Sequence, residues 1–259
     1  MPYANVNGQR IYYQDTGGDG APVVLAHGFL MDRSMFDPQI EALAGDHRIV
    51  TWDQRGFGQT EFDSQPFTYW DSADDCLALL DHLALDRVVL GGMSQGGFIA
   101  LRAALKAPER VRALILMGTQ SGVEDPANVP VYQGMLDEWV SNGPNDELAT
   151  IVAGIIIDDA VENERWIARW KARPKELIRE PGRTLLERDD ITDRLGEIEA
   201  PAIVIHGTED TAIPMDRAEQ LAGALAGAGA VVKVPGAHAA NLTHPEAVNP
   251  AIAGFLAGL

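Results

Sequence analysis

The chain is poor in cysteine and in positive charge, and it has no long apolar run. Its single cysteine among 259 residues, Cys76, excludes an intrachain disulfide and any multi-cysteine metal cluster. That thiol lies in the apolar pattern of Cys76, Leu77, Leu79, Leu80 and Leu83, which marks a small core residue rather than a nucleophile. Lys and Arg number 20 against 38 Asp and Glu, a net charge of −18. Such a surface repels phosphate backbones and anionic lipid, so neither nucleic acid nor a membrane is expected as a partner. No apolar run approaches the ~18 residues of a membrane span, and Met1-Pro2-Tyr3-Ala4-Asn5 lacks the basic and apolar regions of a leader. A soluble, cytoplasmic protein is expected. The sequence also lacks a metal-ligand cluster and a dinucleotide fingerprint, so no metal and no cofactor are expected.

What is present is a hydrophobic content of 46%, enough for a sizeable core, in a strand–helix alternation. Tyr3–Val6 and Arg10–Thr16 alternate around Asn7-Gly8, a hairpin signal. Buried-strand patterns follow at Pro22–Ala26, Arg48–Trp52, Arg87–Gly91, Val111–Met117, Ala202–His206 and Val231–Pro235. Helical patterns separate them, near Met35–Ala44, Tyr69–Leu83, Gln95–Lys106, Met215–Leu225 and Pro245–Leu256. That order implies right-handed β-α-β units and a mostly parallel sheet covered on both faces. The rhythm breaks between about Gln120 and Leu195, where four helical patterns and no convincing strand carry Trp139, Trp166 and Trp170. The expected division is therefore a core of residues 1–119 and 196–259, with a helical insertion at 120–195 lying over the sheet.

The most informative stretch is Val88-Val89-Leu90-Gly91-Gly92-Met93-Ser94-Gln95-Gly96-Gly97. Gly92-Met93-Ser94-Gln95-Gly96 is a G-x-S-x-G in the strand–turn–helix context of a nucleophile elbow. The sharp turn strains the serine backbone, and only residues without a Cβ let neighbouring chain pass that close. A serine hydroxyl needs an adjacent base, and the base needs a third group to orient it. Ligands bind at the carboxyl ends of parallel strands, where Ser94, Asp210 and His238 stand in the order Ser…Asp…His. His27 and His206 precede glycines in tight loops and are expected to brace them, and His244 precedes Pro245 at a helix entry. Asp53 and Arg55 are expected to build a charged turn below the elbow rather than to do chemistry.

Taken together, His27-Gly28-Phe29, Asp53-x-Arg55-Gly56-x-Gly58, the Ser94 elbow, Gly207-Thr208-Glu209-Asp210 and the His238 loop resemble the α/β-hydrolase family over essentially the whole chain. The resemblance implies an α/β fold with a mostly parallel eight-stranded sheet, an antiparallel start and a helical cap after the sixth strand. It is similar to small capped serine esterases and lactonases, of the enol-lactonase-like and carbon–carbon-bond hydrolase-like kinds. It implies an oxyanion hole from the backbone N–H groups of Phe29 and Gln95, with the Phe29 ring along the acyl pocket. Two positions depart from the usual family pattern: Ala237 stands directly before the histidine where glycine is common, and Gln95 puts a polar side chain beside the serine. Some family members place the acid after the sixth strand, which makes Asp125 the alternative to Asp210. Met93, Trp139, Trp166 and Trp170 are candidate pocket residues beside Phe29, against a role in packing alone. The implied substrate is a small-molecule ester or lactone. A receptor that keeps the triad, and perhydrolysis, acyl transfer or carbon–carbon cleavage on it, are the competing readings.

Overall fold

A computed structural model describes residues 2–259. Eight strands form one sheet: β1 Tyr3–Val6, β2 Gln9–Asp15, β3 Ala21–Ala26, β4 His47–Trp52, β5 Val88–Met93, β6 Val111–Met117, β7 Ala202–Gly207 and β8 Val232–Val234. Their spatial order is β1-β2-β4-β3-β5-β6-β7-β8. β1 pairs with β2, and β2 with β4, in antiparallel fashion, and every later pairing is parallel. β5 is buried at all six positions, as a central strand covered on both faces must be.

The helices are α1 Asp37–Leu43, α2 Tyr69–His82, α3 Gln95–Lys106, α4 Val129–Asn142, α5 Asp146–Ile156, α6 Ala160–Ala172, α7 Arg179–Leu186, α8 Met215–Ala224, α9 Ala240–Thr243 and α10 Pro245–Ala257. Two apolar layers sandwich the sheet. One carries Leu79 and Leu80 of α2 with Ile99 and Leu101 of α3, and Cys76 is buried within it. The other holds Ile252 and Leu256 of α10 together with strand residues such as Ile205 of β7 and Val234 of β8. Local sequence sets several boundaries. Thr68 and Asp71 form a reciprocal capping box that starts α2. Ala107-Pro108 ends α3, because the residue before a proline is pushed out of the helical region.

The sequence places a helix from Met35, but α1 begins at Asp37. Residues Arg33–Phe36 form a 3-10 turn capped by Asp32, and Pro38 fits the first turn of the helix that follows. Four helices, α4 to α7, fill the span between β6 and β7. Both ends of that span meet at a neck. The Ile191 N–H donates to Ser121 O at 3.2 Å, the Ser121 and Thr192 hydroxyls bond at 2.9 Å, and Arg188 Nε donates to Gly122 O at 3.0 Å.

Candidate active site

Ser94 sits between β5 and α3 with φ 52° and ψ −117°, a left-handed conformation that a non-glycine residue adopts only under constraint. The constraint is visible on both sides. A Cβ on Gly96 would strike the Ala26 carbonyl, and one on Gly92 would strike the backbone of Gly96. The Ser94 N–H donates to Met117 O at 2.9 Å, and the Thr119 hydroxyl donates to Ser94 O at 2.8 Å, so both peptide groups of the turn are fixed. Gln95 opens α3, and a first-turn N–H has no acceptor within its helix.

Asp210 and His238 meet from the loops after β7 and β8. Asp210 Oδ2 accepts from His238 Nδ1 at 2.7 Å, and Asp210 Oδ1 accepts from the N–H groups of Ala212 and Ile213, each at 2.9 Å. Burial works to raise the Asp210 pKa, but the His238 ring and these donors outweigh it and hold the carboxyl below its ordinary range. The side chain therefore stays a carboxylate and presents Oδ2 to the imidazole. His206 contributes a second contact, its Nε2 lying 3.3 Å from the same Oδ2 and 2.8 Å from Ile213 O. Gly118, with φ 49°, lies directly against this pair, where a Cβ would press on His238 O and approach His238 Nδ1. Asp125, by contrast, is exposed, and its Oδ1 accepts from the Ala127 N–H of its own loop.

Ser94 and His238 line one cavity of about 150 Å³, walled by Phe29, Met93 and Trp139 among others. The pocket residues thus divide. Met93 and Trp139 stand on the cavity wall, but Trp166 and Trp170 do not, which corrects their candidacy as substrate contacts. Both lie on the face of α6 that packs against residues 30–32 and borders a second, smaller void. Helical spacing places Trp166 and Trp170 on one face without revealing what that face meets. The Gln95 side chain also turns aside: its Oε1 accepts from the buried Tyr69 hydroxyl at 3.1 Å, and it is not on the cavity wall.

The helical span grips two loops of the site. Trp170 Nε1 donates to Leu30 O at 2.6 Å, which fixes the residue after Phe29 in a left-handed conformation with φ 62°. The Ala239 N–H donates to Ile156 O at 2.8 Å, tying the residue after His238 to the end of α5. His27 braces the other side of the Phe29 loop. It accepts from the Gln54 N–H at Nε2 (3.0 Å), so Nδ1 carries the proton given to Gly28 O (2.8 Å). Arg55 pairs with the buried Asp75 of α2 at 2.5 Å, and Asp53 accepts from the N–H groups of Arg33 and Gln59, so this turn is structural.

Two buried groups here titrate in opposite senses. Burial drives the His27 pKa down to about 4 and the Asp53 pKa up to about 6. The unfolded chain binds its histidine proton near pH ~6.5. The stability from neutral His27 is therefore complete above that pH and is lost as the pH falls toward 4. Asp53 has the opposite sign, because the folded state takes its proton first, so stability rises as the pH falls from 6 toward the ordinary aspartate range. Asp53→Asn removes that compensation. Its melting temperature should fall more between pH 7 and pH 5 than that of the unaltered protein, and parallel pH profiles would contradict the opposition.

Residues 21–245 match the family described as "alpha/beta hydrolase fold". The chain belongs to the α/β-hydrolase family. Among solved structures, a thermophilic esterase from Thermogutta terrifontis is 28% identical with a TM-score of 0.91, covering 100% of this chain and 99% of its own. The enol-lactonase from Burkholderia xenovorans LB400 is 27% identical with a TM-score of 0.91, covering 99% and 100%. The non-heme chloroperoxidase of Streptomyces lividans is 30% identical over 96% of this chain and 97% of its own. This α/β-hydrolase is thus an enzyme of the hydrolase class, resembling esterases and lactonases. Among its described residues, no helix is long and apolar enough to cross a membrane.

Sequence reasoning missed Gln120, Glu124, Tyr132 and Arg188 as site residues, polar side chains that also line the α/β-hydrolase's main cavity. Gln120 stands three residues after β6, so the strand-end rule offered a signal. Arg188 follows α7 in a charged stretch that reads as surface, and only closure of the neck buries it.

Proposed function

We propose that the protein is a cofactor-free serine hydrolase of small, largely apolar carboxylic esters or lactones. The observation that carries this reading is the Asp210–His238 pair, 2.7 Å apart, opening onto the cavity that Ser94 enters from a strained elbow. In this reading His238 takes the Ser94 proton as the hydroxyl oxygen attacks the carbonyl carbon. The N–H groups of Phe29 and Gln95 hold the tetrahedral oxyanion, each worth about 3–4 kcal/mol in the transition state. His238 then protonates the leaving alkoxide, and afterwards activates water to free the acid. Asp210 orients the ring and stabilises its charged form.

The span α4–α7 serves in this reading as a cap that excludes water and limits substrate size. A cavity of about 150 Å³ suits a ligand near the size of benzene. Steady turnover of short-chain aryl esters and compact lactones, with little activity on emulsified long-chain lipid, is the expected outcome. A single burst with no further turnover would instead favour a receptor. Trp139→Ala should raise kcat/KM for bulkier esters relative to acetate. Trp166→Ala should leave the size ranking alone and lower stability by about 3–5 kcal/mol. An ester series run beside thermal melts separates the two.

Similarity to a protein named a non-heme chloroperoxidase favours one variant of the second half-reaction. Hydrogen peroxide in place of water would take the acyl group from Ser94 and leave as a peracid. Peracid yield from acetate esters with added peroxide measures that branch.

A further inference from the structure

The main cavity is apolar almost throughout, yet away from Ser94 and His238 its wall carries Gln120, Glu124, Tyr132 and Arg188. The Arg188 side chain is 2% exposed and stacks over the Phe98 ring at 4.8 Å. Its Nε and Nη1 are spent on Gly122 O and Leu185 O, at 3.0 and 2.7 Å. Its Nη2 has only Glu124 Oε2, at 3.7 Å, which is beyond a hydrogen bond. Glu124 is held in turn through Oε1 by the Asp125 N–H at 3.1 Å, leaving Oε2 for the cavity side. Gln120, 4% exposed, has no partner for its Oε1.

A buried guanidinium costs several kcal/mol to desolvate unless its donors are met, and burial does depress the Arg188 pKa. Pinning the neck takes two of its nitrogens and leaves the third short of a partner. A hydrocarbon substrate would seal those N–H groups away from water unpaired. A substrate with a hydrogen-bonding group at that position would satisfy them.

We propose that Arg188, Glu124 and Gln120 form a specificity subsite for an uncharged polar group, an amide or hydroxyl, on the arm of the ester or lactone away from the scissile bond. This rests on the hydrolase reading above. The group's oxygen accepts from Arg188 Nη2, and its own N–H or O–H donates to Glu124 Oε2 or Gln120 Oε1. A carboxylate is disfavoured because Glu124 already supplies the counter-charge, and a second anion would face it across a few ångströms. The subsite therefore selects against both plain hydrocarbon and acid.

The test compares esters of matched shape: methyl 4-methylpentanoate, methyl 4-amino-4-oxobutanoate and monomethyl butanedioate. A parallel set carries the amide, isopropyl or carboxylate terminus on the alcohol arm of an acetate ester. In at least one set the amide should exceed the hydrocarbon by about 10- to 100-fold in kcat/KM, the scale of a hydrogen bond to a charged group. Arg188→Met should bring that ratio near one. Glu124→Gln should move the carboxylate ester to the front, because it removes the opposing charge while keeping an acceptor. Hydrocarbon equal to or better than amide in both sets overturns the subsite. So does a carboxylate preference in the unaltered protein, or an amide preference that survives Arg188→Met. If no ester in either set is turned over, the hydrolase reading is what fails. Calorimetric binding of the same esters to Ser94→Ala then still ranks amide against hydrocarbon and decides the subsite on its own. Should Arg188→Met fail to fold, the Glu124→Gln reversal carries the decision.

Discussion

Ser94→Ala is expected to fold as the unaltered protein does and to lose about 10⁴ to 10⁶ in kcat, the range found when the nucleophile of a serine triad is removed. The size of the effect follows from what alanine leaves behind. On the proposed mechanism the N–H groups of Phe29 and Gln95, the cavity and His238 all persist, so substrate still binds, but no oxygen is held at the carbonyl. Folding is preserved because the turn is fixed by main-chain contacts, the Ser94 N–H to Met117 O and the Thr119 hydroxyl to Ser94 O, rather than by the Ser94 hydroxyl. A fluorophosphonate probe should add its mass to a peptide containing Ser94 and to no other. Turnover that survives Ser94→Ala, or labelling that does, would remove the serine from the reaction.

Asp210→Asn should cost about 10⁴ in kcat, by a different route. Asp210 Oδ1 is occupied by the N–H groups of Ala212 and Ile213, so an asparagine keeps its oxygen there and turns its amide nitrogen toward His238. A donor then faces Nδ1, the proton moves to Nε2, and the ring can no longer act as the base proposed for Ser94. Melting temperature should change little beside that loss. Asp125→Asn should leave kcat within a few-fold, since Asp125 is exposed and bonds only its own loop. The reverse ranking would move the orienting acid to the loop after β6.

Much of this frame was legible in the sequence because each signal had a steric cause. Gly92 and Gly96 sit where no Cβ fits, and the strand, turn and helix around Ser94 follow from that. The hairpin at Asn7-Gly8, the end of α3 before Pro108 and the bounds of β6 all fell within a residue or two of their patterns. Tertiary contacts that belong to no motif were not legible. Helix α7 stops at Leu186, and two residues on, the Arg188 side chain turns back to the carbonyls of Leu185 and Gly122, contacts that no periodicity announces. The strand expected over Val231–Pro235 keeps only Val232–Val234, since an edge strand pairs on one side. The short helix α9 carries no periodicity that four residues could reveal. Residues with one contact at hand read well. Residues such as Trp170 and Glu124, whose surroundings come from distant segments, did not.

The neck at Ser121, Gly122, Arg188, Ile191 and Thr192 has an evolutionary consequence. Every group assigned to bond making lies outside it, whereas Met135, Trp139 and Ile156, which shape the cavity, lie inside. Lengthening a closed excursion costs only about 0.6 kcal/mol per doubling, so its contents are free to diverge while the sheet stands still. Substrate range and chemistry can therefore change on separate clocks. A transplanted excursion must still give its host a donor for Leu30 O and an acceptor for the Ala239 N–H, along with donors for the carbonyls of Gly56, Gly58 and Phe67.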